Sequence, residues 1–161
     1  MANVDKNKAV VDFLLTCPYL KDNPMFYNFG KVADDNKQIV THANDTKLNV
    51  PFIDGSVRKR YVFTIIDYKA IAYRALVART GAIDENLENA FEAQQVIDWI
   101  NEQAEARNFP DFGEDCVMDD MQANSDNPNM GGVDTAVTPA LAKYSVSIKI
   151  EYIDYSKAIW K

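Results

Sequence analysis

The sequence is poor in the residues that build metal and redox sites. Its 161 residues include a single histidine, His42, and two cysteines, Cys17 and Cys116. One histidine excludes a zinc site made of several histidines and leaves any serine–histidine–aspartate triad dependent on one residue. The cysteines lie far apart and form no Cys-x-x-Cys motif, so we expect two buried, unpaired thiols. Neither a resident metal nor a cofactor is expected.

Long hydrophobic runs are missing as well. No segment approaches the roughly 20 apolar residues of a membrane-spanning helix. Residues 1–10 carry charges where the core of a signal peptide would be apolar. We therefore expect a water-soluble protein of a reducing compartment, with no membrane partner.

The familiar catalytic motifs are absent. The chain has no Walker A, Gly-x-Ser-x-Gly, Gly-x-Gly-x-x-Gly or His-Glu-x-x-His motif. An Asp-Phe-Gly triplet at 111–113 stands without the other motifs of a kinase. The carboxylates near it offer the hard oxygen ligands that Ca²⁺ and Mg²⁺ prefer, but without EF-hand spacing; they are Asp111, Glu114, Asp115, Asp119 and Asp120. A solvated acidic surface is the main interpretation, and a metal-dependent enzyme or binding module is the remote alternative.

Charge is divided unevenly along the chain. Residues 1–80 carry 12 Lys and Arg against 8 Asp and Glu, whereas residues 81–161 carry 5 against 16. This division predicts complementary surfaces, either within the fold or between copies, with simple solubility as the alternative. The acidic C-terminal half argues against tight binding of phosphates across that surface.

Hydrophobic periodicity predicts one α+β domain over 1–161, in which a curled antiparallel or mixed sheet is packed by an N-terminal helix and a long central helix. We expect helices at 4–16 and 86–107 and strands at 25–32, 38–42, 58–68, 114–121 and 143–155. The strand at 58–68 is apolar on both faces, which predicts a central strand covered on both sides. Strict alternation at 143–155 predicts one buried and one wet face. Asn108 is expected to take the left-handed conformation that ends the second helix, before Pro110.

Residues 122–141 are rich in Asn, Asp, Pro and Gly, which favours a mobile loop or a long hairpin connection, and residues 156–161 form a C-terminal tail.

Several side chains are candidates for an interface. The basic triplet Arg58, Lys59 and Arg60 fits edge protection or contact with an acidic neighbour better than reading of nucleic acid. The remaining candidates are Trp99, which lies off the apolar stripe of its helix, the acidic pair Asp119 and Asp120, and the apolar hook Ile159 and Trp160.

Five segments resemble one protein family. They are "AVVDFLLTCPYL" at 9–20, the strand entry at 54–67, the helix end "DWINEQAEARNFPDFGE" at 98–114, the Gly131-Gly132 pair and the strand "YSVSIKIEYIDY" at 144–155. In these segments the chain resembles the tail terminator, or tail completion, proteins of long-tailed phages and prophages of Gram-positive bacteria.

The resemblance implies a structural virion protein without catalysis. Its subunits would form a ring, typically a hexamer, that ends growth of the tail tube and joins the tail to the head connector at the neck. Expected partners are other copies of the chain, the tube protein, a head-completion or connector protein, and genomic DNA that passes through the lumen without sequence-specific binding. A head-completion or tail-tube subunit is the nearest alternative. The expected location is the virion, and the host cytoplasm during assembly.

Overall fold

Two helices and seven strands make up the described part of a computed structural model, which covers residues 4–20, 25–27, 37–42, 48–70, 82–124, 129–134 and 141–159. The helices are α1 (Lys6–Leu14) and α2 (Ala82–Glu105). The strands are β1 (Met25–Tyr27), β2 (Lys37–His42), β3 (Asn49–Pro51), β4 (Val57–Ala70), β5 (Cys116–Ala123), β6 (Asn129–Asp134) and β7 (Leu141–Asp154).

Helix α1 begins at a side-chain cap. The Asp5 carboxylate accepts hydrogen bonds from the backbone amides of Asn7, at 3.0 Å, and Lys8, at 3.2 Å. Such a cap satisfies amides that have no partner within the helix, and a negative charge suits this end of the helix dipole. Apolar side chains three and four positions apart turn Val10, Phe13 and Leu14 into the core. The helix ends shortly before Pro18, as the sequence predicts.

Strands β4 and β7 form the centre of the sheet. They pair antiparallel along their whole length, from Val57 opposite Asp154 to Ala70 opposite Leu141. Alternate residues of β7 are buried against the helices, on what we call the inner face; they are Tyr144, Val146, Ile148, Ile150 and Tyr152. The odd-numbered residues from 143 to 153 are partly exposed on the opposite face of the strand, which we call the outer face. The predicted buried and wet faces of this strand are confirmed.

The sheet order is β1-β2-β4-β7-β5, with β3 added to β4 and β6 added to β7. Strand β1 runs parallel to β2 and the other pairings are antiparallel, so the sheet is mixed and the predicted α+β class is confirmed. Strand β4 is central, as expected. Its two faces differ, however, because Phe63 and Ile65 are buried whereas Val62, Thr64 and Ile66 remain partly exposed. The prediction of cover on both sides is wrong for this part of β4.

Strands occur in two segments whose composition favours loops, which are 43–56, with Asp54-Gly55 as its turn signal, and 122–141. Strand β3 lies within the segment 43–56 and pairs with the first residues of β4. Strand β6 occupies 129–134 of the expected loop 122–141 and pairs with β7, with an irregularity between Met130 and Gly132. The alternative of a long hairpin connection therefore describes this segment better than a loop throughout. Neither strand has the alternating pattern that sequence analysis detects.

The left-handed residue that follows helix α2 lies one position earlier than predicted. Arg107, with φ of 55°, takes this conformation in place of Asn108. The amide of Asn108 donates to the Gln103 carbonyl at 2.9 Å and that of Arg107 to the Ala104 carbonyl at 3.1 Å. This pair of bonds satisfies carbonyls that the end of a helix leaves without partners. Pro110 then prevents continuation, as expected.

The main core lies between the inner face and both helices. Ile97 and Ile100 of α2 are almost completely buried, together with Ile148 and Ile150 of β7. Trp99 also belongs to this core. It is 8% exposed, and its ring lies 5.0 Å from that of Phe13. The expectation that Trp99 faces a partner is therefore wrong, because its ring packs against Phe13 of α1 within the core.

Candidate functional site

The basic triplet at the start of β4 lies beside acidic residues of β5 and β7. Arg58 makes ion pairs with Asp119 at 2.5 Å and Glu151 at 2.6 Å, and Arg60 contacts Glu151 at 3.1 Å. These side chains share the outer face because the register places Arg58 opposite Ile153 and Arg60 opposite Glu151. A bulge between Met118 and Asp120 adds one residue to β5 at Asp119, next to this network.

The network changes the proton affinity of its acids. The hydrogen bond from Arg58, with a further one from Arg60, holds the pKa of Glu151 below its usual value. On the inner face, Lys59 contacts Asp154 at 2.7 Å. Burial alone would raise the pKa of Asp154, but hydrogen bonds from Lys59 and Ser156 outweigh it and keep the pKa far below the usual range. Both carboxylates are therefore ionised at neutral pH.

The triplet is thus neutralised within the chain. Arg58, Lys59 and Arg60 come from the basic N-terminal half, and Asp119, Glu151 and Asp154 come from the acidic C-terminal half. Contact with an acidic neighbour, one of the two expectations for the triplet, is confirmed, with the neighbour inside the same fold. Edge protection is wrong, since β4 has β3 and β7 on its two sides at this point.

The Asp-Phe-Gly triplet builds a packed turn. Phe112 is buried, with its ring edge-on to Tyr152 at 5.2 Å and to Tyr61 at 5.5 Å. Asp111 accepts a hydrogen bond from the Gly113 amide at 2.9 Å. Gly113 has φ of 96°, and a Cβ there would lie 2.7 Å from a methyl group of Val4. The triplet therefore joins the turn after α2 to the start of α1.

Chemically reactive groups are not brought together in the described ranges. Within those residues no group of three or more His, Cys, Asp and Glu side chains could hold a metal ion. Asp119 instead pairs with Arg58. Cys17 is buried and Cys116 is half-buried, neither forms a disulfide, and burial raises the pKa of both thiols. Both thiols are consequently in the unreactive protonated form at neutral pH.

The turn between β3 and β4 presents apolar side chains to solvent. Ile53 is 100% exposed, and Phe52 beside it is 43% exposed. The end of the chain reaches this turn, because the amide of Ile159 donates to the Asp54 carbonyl at 2.7 Å while its side chain is 71% exposed. We call Phe52, Ile53 and Ile159 the apolar tip. The side chain of Ile159 is thus not docked on its own domain, and the other residue of the hook, Trp160, lies outside the described residues.

Hydrogen bonds hold the backbone of the apolar tip. The amide of Phe52 donates to the Ser56 carbonyl at 2.8 Å, and that of Gly55 donates to the Phe52 carbonyl at 3.1 Å. The Asp54 carboxylate accepts from both the amide and the hydroxyl of Ser56. Gly55 has φ of 88°, and a Cβ there would meet the Lys157 carbonyl at 2.7 Å. Glycine is therefore required where the turn and the tail touch.

Two concave surfaces flank these elements. A groove of about 420 Å³ runs between α1 and the segment 109–111, with Val4, Phe13, Phe109 and Pro110 among its lining residues and with the charged groups Asp5, Lys8, Asp12 and Asp111. We call it the acidic groove. A second, of about 500 Å³, lies beside the apolar tip and contains Lys59, Arg60, Asp154 and Lys157. We call it the basic cleft. Neither surface can be predicted from the sequence, since each joins segments that are distant along the chain.

The fold and its described surfaces thus define an α+β domain that presents apolar and charged patches. Compared with known proteins, the chain matches no family model and no curated protein. Among the described helices, none has the length and apolar character needed to cross a membrane.

Proposed function

We propose that the protein is a structural component of a long-tailed phage virion, a tail terminator that forms a ring, typically of six copies. The ring ends growth of the tail tube and connects the tail to the head, while DNA passes through its lumen. The protein acts by assembly and has no catalytic role. The observation that carries this proposal is the resemblance in sequence of five segments to that family.

The spatial arrangement of these segments supports the proposal. The strand at 57–67 pairs with the final strand β7 along its whole length. The turn at 109–114 packs onto both through Phe112, which contacts Tyr61 and Tyr152. Residues of the segment 9–20 enter the same core through Val10, Phe13 and Leu14. Segments that resemble one family therefore form one continuous packing unit, as expected if the likeness reflects a common fold.

The surface chemistry also suits a ring. A closed ring uses a heterologous interface, in which two different patches of each copy meet head to tail. The described surface offers an apolar tip and two concave surfaces that differ in charge. With −7 per copy, six copies carry about −42 in formal charge. A negative lumen repels phosphates and lets DNA slide rather than bind.

The proposal is tested by the assembly state of the purified protein. Native mass spectrometry and negative-stain electron microscopy are expected to detect closed rings, and purified tube protein is expected to stop growing when the rings are added. Open-ended polymers would instead favour a tail-tube subunit. A protein that stays monomeric at high concentration and does not bind tube protein would contradict the proposal.

A metal titration tests the remote alternative. Calorimetry and thermal unfolding with Ca²⁺ and with Mg²⁺ are expected to give no heat of binding and no stabilisation. Stabilisation that disappears on replacing Asp111 and Asp115 with Asn would favour a metal-dependent module over the ring.

A further inference from the structure

The apolar tip has the properties of an interface element. Its most exposed residue, Ile53, has no contact that removes it from solvent, yet its backbone lies in a turn fixed by hydrogen bonds. A fixed turn loses little conformational entropy on binding, so apolar burial there is available for association. Phe52 precedes it in the chain and Ile159 is bonded to the backbone of Asp54, so two further exposed apolar residues belong to the same turn region.

The acidic groove is an open concave surface with a partly apolar lining. Its volume of about 420 Å³ falls in the range of roughly 300–1,000 Å³ that is usual for pockets that hold a small ligand. Apolar residues from α1 and from the turn after α2 line it, and among them Val4 is substantially exposed. An aliphatic side chain and an aromatic ring are therefore suitable occupants.

Charge next to the two surfaces is complementary. The groove contains the carboxylates of Asp5, Asp12 and Asp111 against the single ammonium of Lys8. The basic cleft beside the tip contains Lys59, Arg60 and Lys157. Lys59 pairs with Asp154 and Arg60 with Glu151, which leaves Lys157 as its cation without an ion pair among the described residues. The net negative charge of the groove thus matches the positive charge of Lys157 beside the inserting tip, and such complementarity favours one register of the contact.

We infer that the apolar tip of one copy inserts into the acidic groove of the next copy, with the basic cleft facing the groove's carboxylates. This inference rests on the proposed ring and names its contact surfaces. Because tip and groove are different patches, the contact is head to tail and repeats around a ring. A second copy is the favoured occupant, since each surface finds its counterpart in charge and apolarity on the same chain.

Cross-linking between variants that each carry one exposed cysteine, besides the buried Cys17, tests the contact. Ile53→Cys and Asp12→Cys are prepared separately in a Cys116→Ser background, because native Cys116 is half-buried. Residue 53 lies on the tip, and Asp12 is exposed in the groove. A short bismaleimide is expected to give a covalent dimer when the two variants are mixed, and none with either variant alone. Glu102→Cys, an exposed residue of α2 outside the groove, is the matched control in place of Asp12→Cys.

A second measurement uses self-association. Ile53→Asp is expected to weaken ring formation about tenfold or more, as at an interface hot spot. Phe91→Asp, which changes an exposed apolar residue of α2 to the same acid, is expected to leave the rings intact. Circular dichroism confirms that both variants fold.

The outcomes separate the two proposals. Rings that form without a mixed cross-link and tolerate Ile53→Asp would overturn the contact and leave the proposed function intact. Cross-linked dimers of Ile53→Cys alone would replace the head-to-tail contact with a symmetric one and overturn it. Absence of rings in the unmodified protein would overturn both.

Discussion

The two faces of β7 are attached to the rest of the molecule by different interactions, although they alternate along the same strand of 14 residues. Its inner face is apolar and packs against two helices. Its outer face is polar and carries Glu151, which contacts Arg58 and Arg60 of the neighbouring strand. Apolar burial is non-directional and strong, whereas ion pairs near solvent contribute little but depend on geometry. The inner face therefore supplies stability, and the outer face supplies register.

The largest expected effect concerns Trp99, on the helix side of the inner face. Trp99→Ala removes a buried ring that packs on Phe13 and is expected to lower the free energy of unfolding by about 3–5 kcal/mol. Phe91→Ala on the same helix changes a residue that is 59% exposed and should cost at most about 0.5 kcal/mol. Urea unfolding measures both, and equal effects would contradict the burial of Trp99.

Next in size is truncation within β7 itself. Ile148→Ala leaves a cavity in the core and is expected to cost about 2–5 kcal/mol. Ser147→Ala, one residue earlier, removes only a hydrogen bond with Thr64 on the outer face and should cost about 0.5–1.5 kcal/mol. Urea unfolding measures the free energy of unfolding of both variants, and its dependence on urea concentration is expected to stay unchanged. A larger loss of unfolding free energy in Ser147→Ala than in Ile148→Ala would contradict the stronger contribution of the inner face.

A smaller effect is expected from the outer-face network. Glu151→Gln removes the charge that Arg58 and Arg60 share and should cost at most about 1 kcal/mol, because ion pairs near solvent are screened and contribute little. Asp120→Asn changes an exposed carboxylate on the neighbouring strand and serves as the control, with a change within about 0.5 kcal/mol. Thermal unfolding at low and high salt measures both variants.

The same network predicts an acid response. The folded-state pKa values of Glu151 and Asp154 lie below their unfolded values, which are about 4. As the pH falls through about 4, these carboxylates take up protons in the unfolded chain before they do so in the folded protein. The free energy of unfolding that they contribute is therefore fully present above that pH and is lost as the pH falls towards their folded-state pKa values. Thermal unfolding between pH 6 and pH 2.5 should therefore fall less steeply for Asp154→Asn than for the unmodified protein. Parallel curves would contradict the assignment.

Long, regular elements of this fold can be predicted from the sequence. Alternation along 143–155 predicts β7 and its two faces, and the Cys17-Pro18 and Pro110 positions predict where helices end. Contacts between distant segments cannot be predicted in this way. Arg58 and Glu151 meet across 93 positions, which requires the register of β4 and β7. The burial of Trp99 requires its contact with Phe13 of α1, which the helical pattern of α2 alone does not contain.

Short elements also escape sequence analysis. Strand β3 has three residues and owes its existence to pairing with β4, so the surrounding segment is predicted as a loop. Only Asp54-Gly55, next to the apolar residues Phe52 and Ile53, signals the turn from which the candidate interface is built. The basic triplet is visible in sequence, but its neutralisation by acids of the other half is not.

The hydrogen bond from Ile159 to Asp54 makes the end of the chain part of the hairpin turn. Residues that lie more than a hundred positions apart then open to solvent in one event, rather than by separate fraying of a loop and a terminus. In hydrogen–deuterium exchange, the amides of Phe52, Gly55 and Ile159 should therefore exchange at similar rates. Removal of residues 156–161 should accelerate exchange at Phe52 and Gly55, although the deleted segment lies in another part of the sequence.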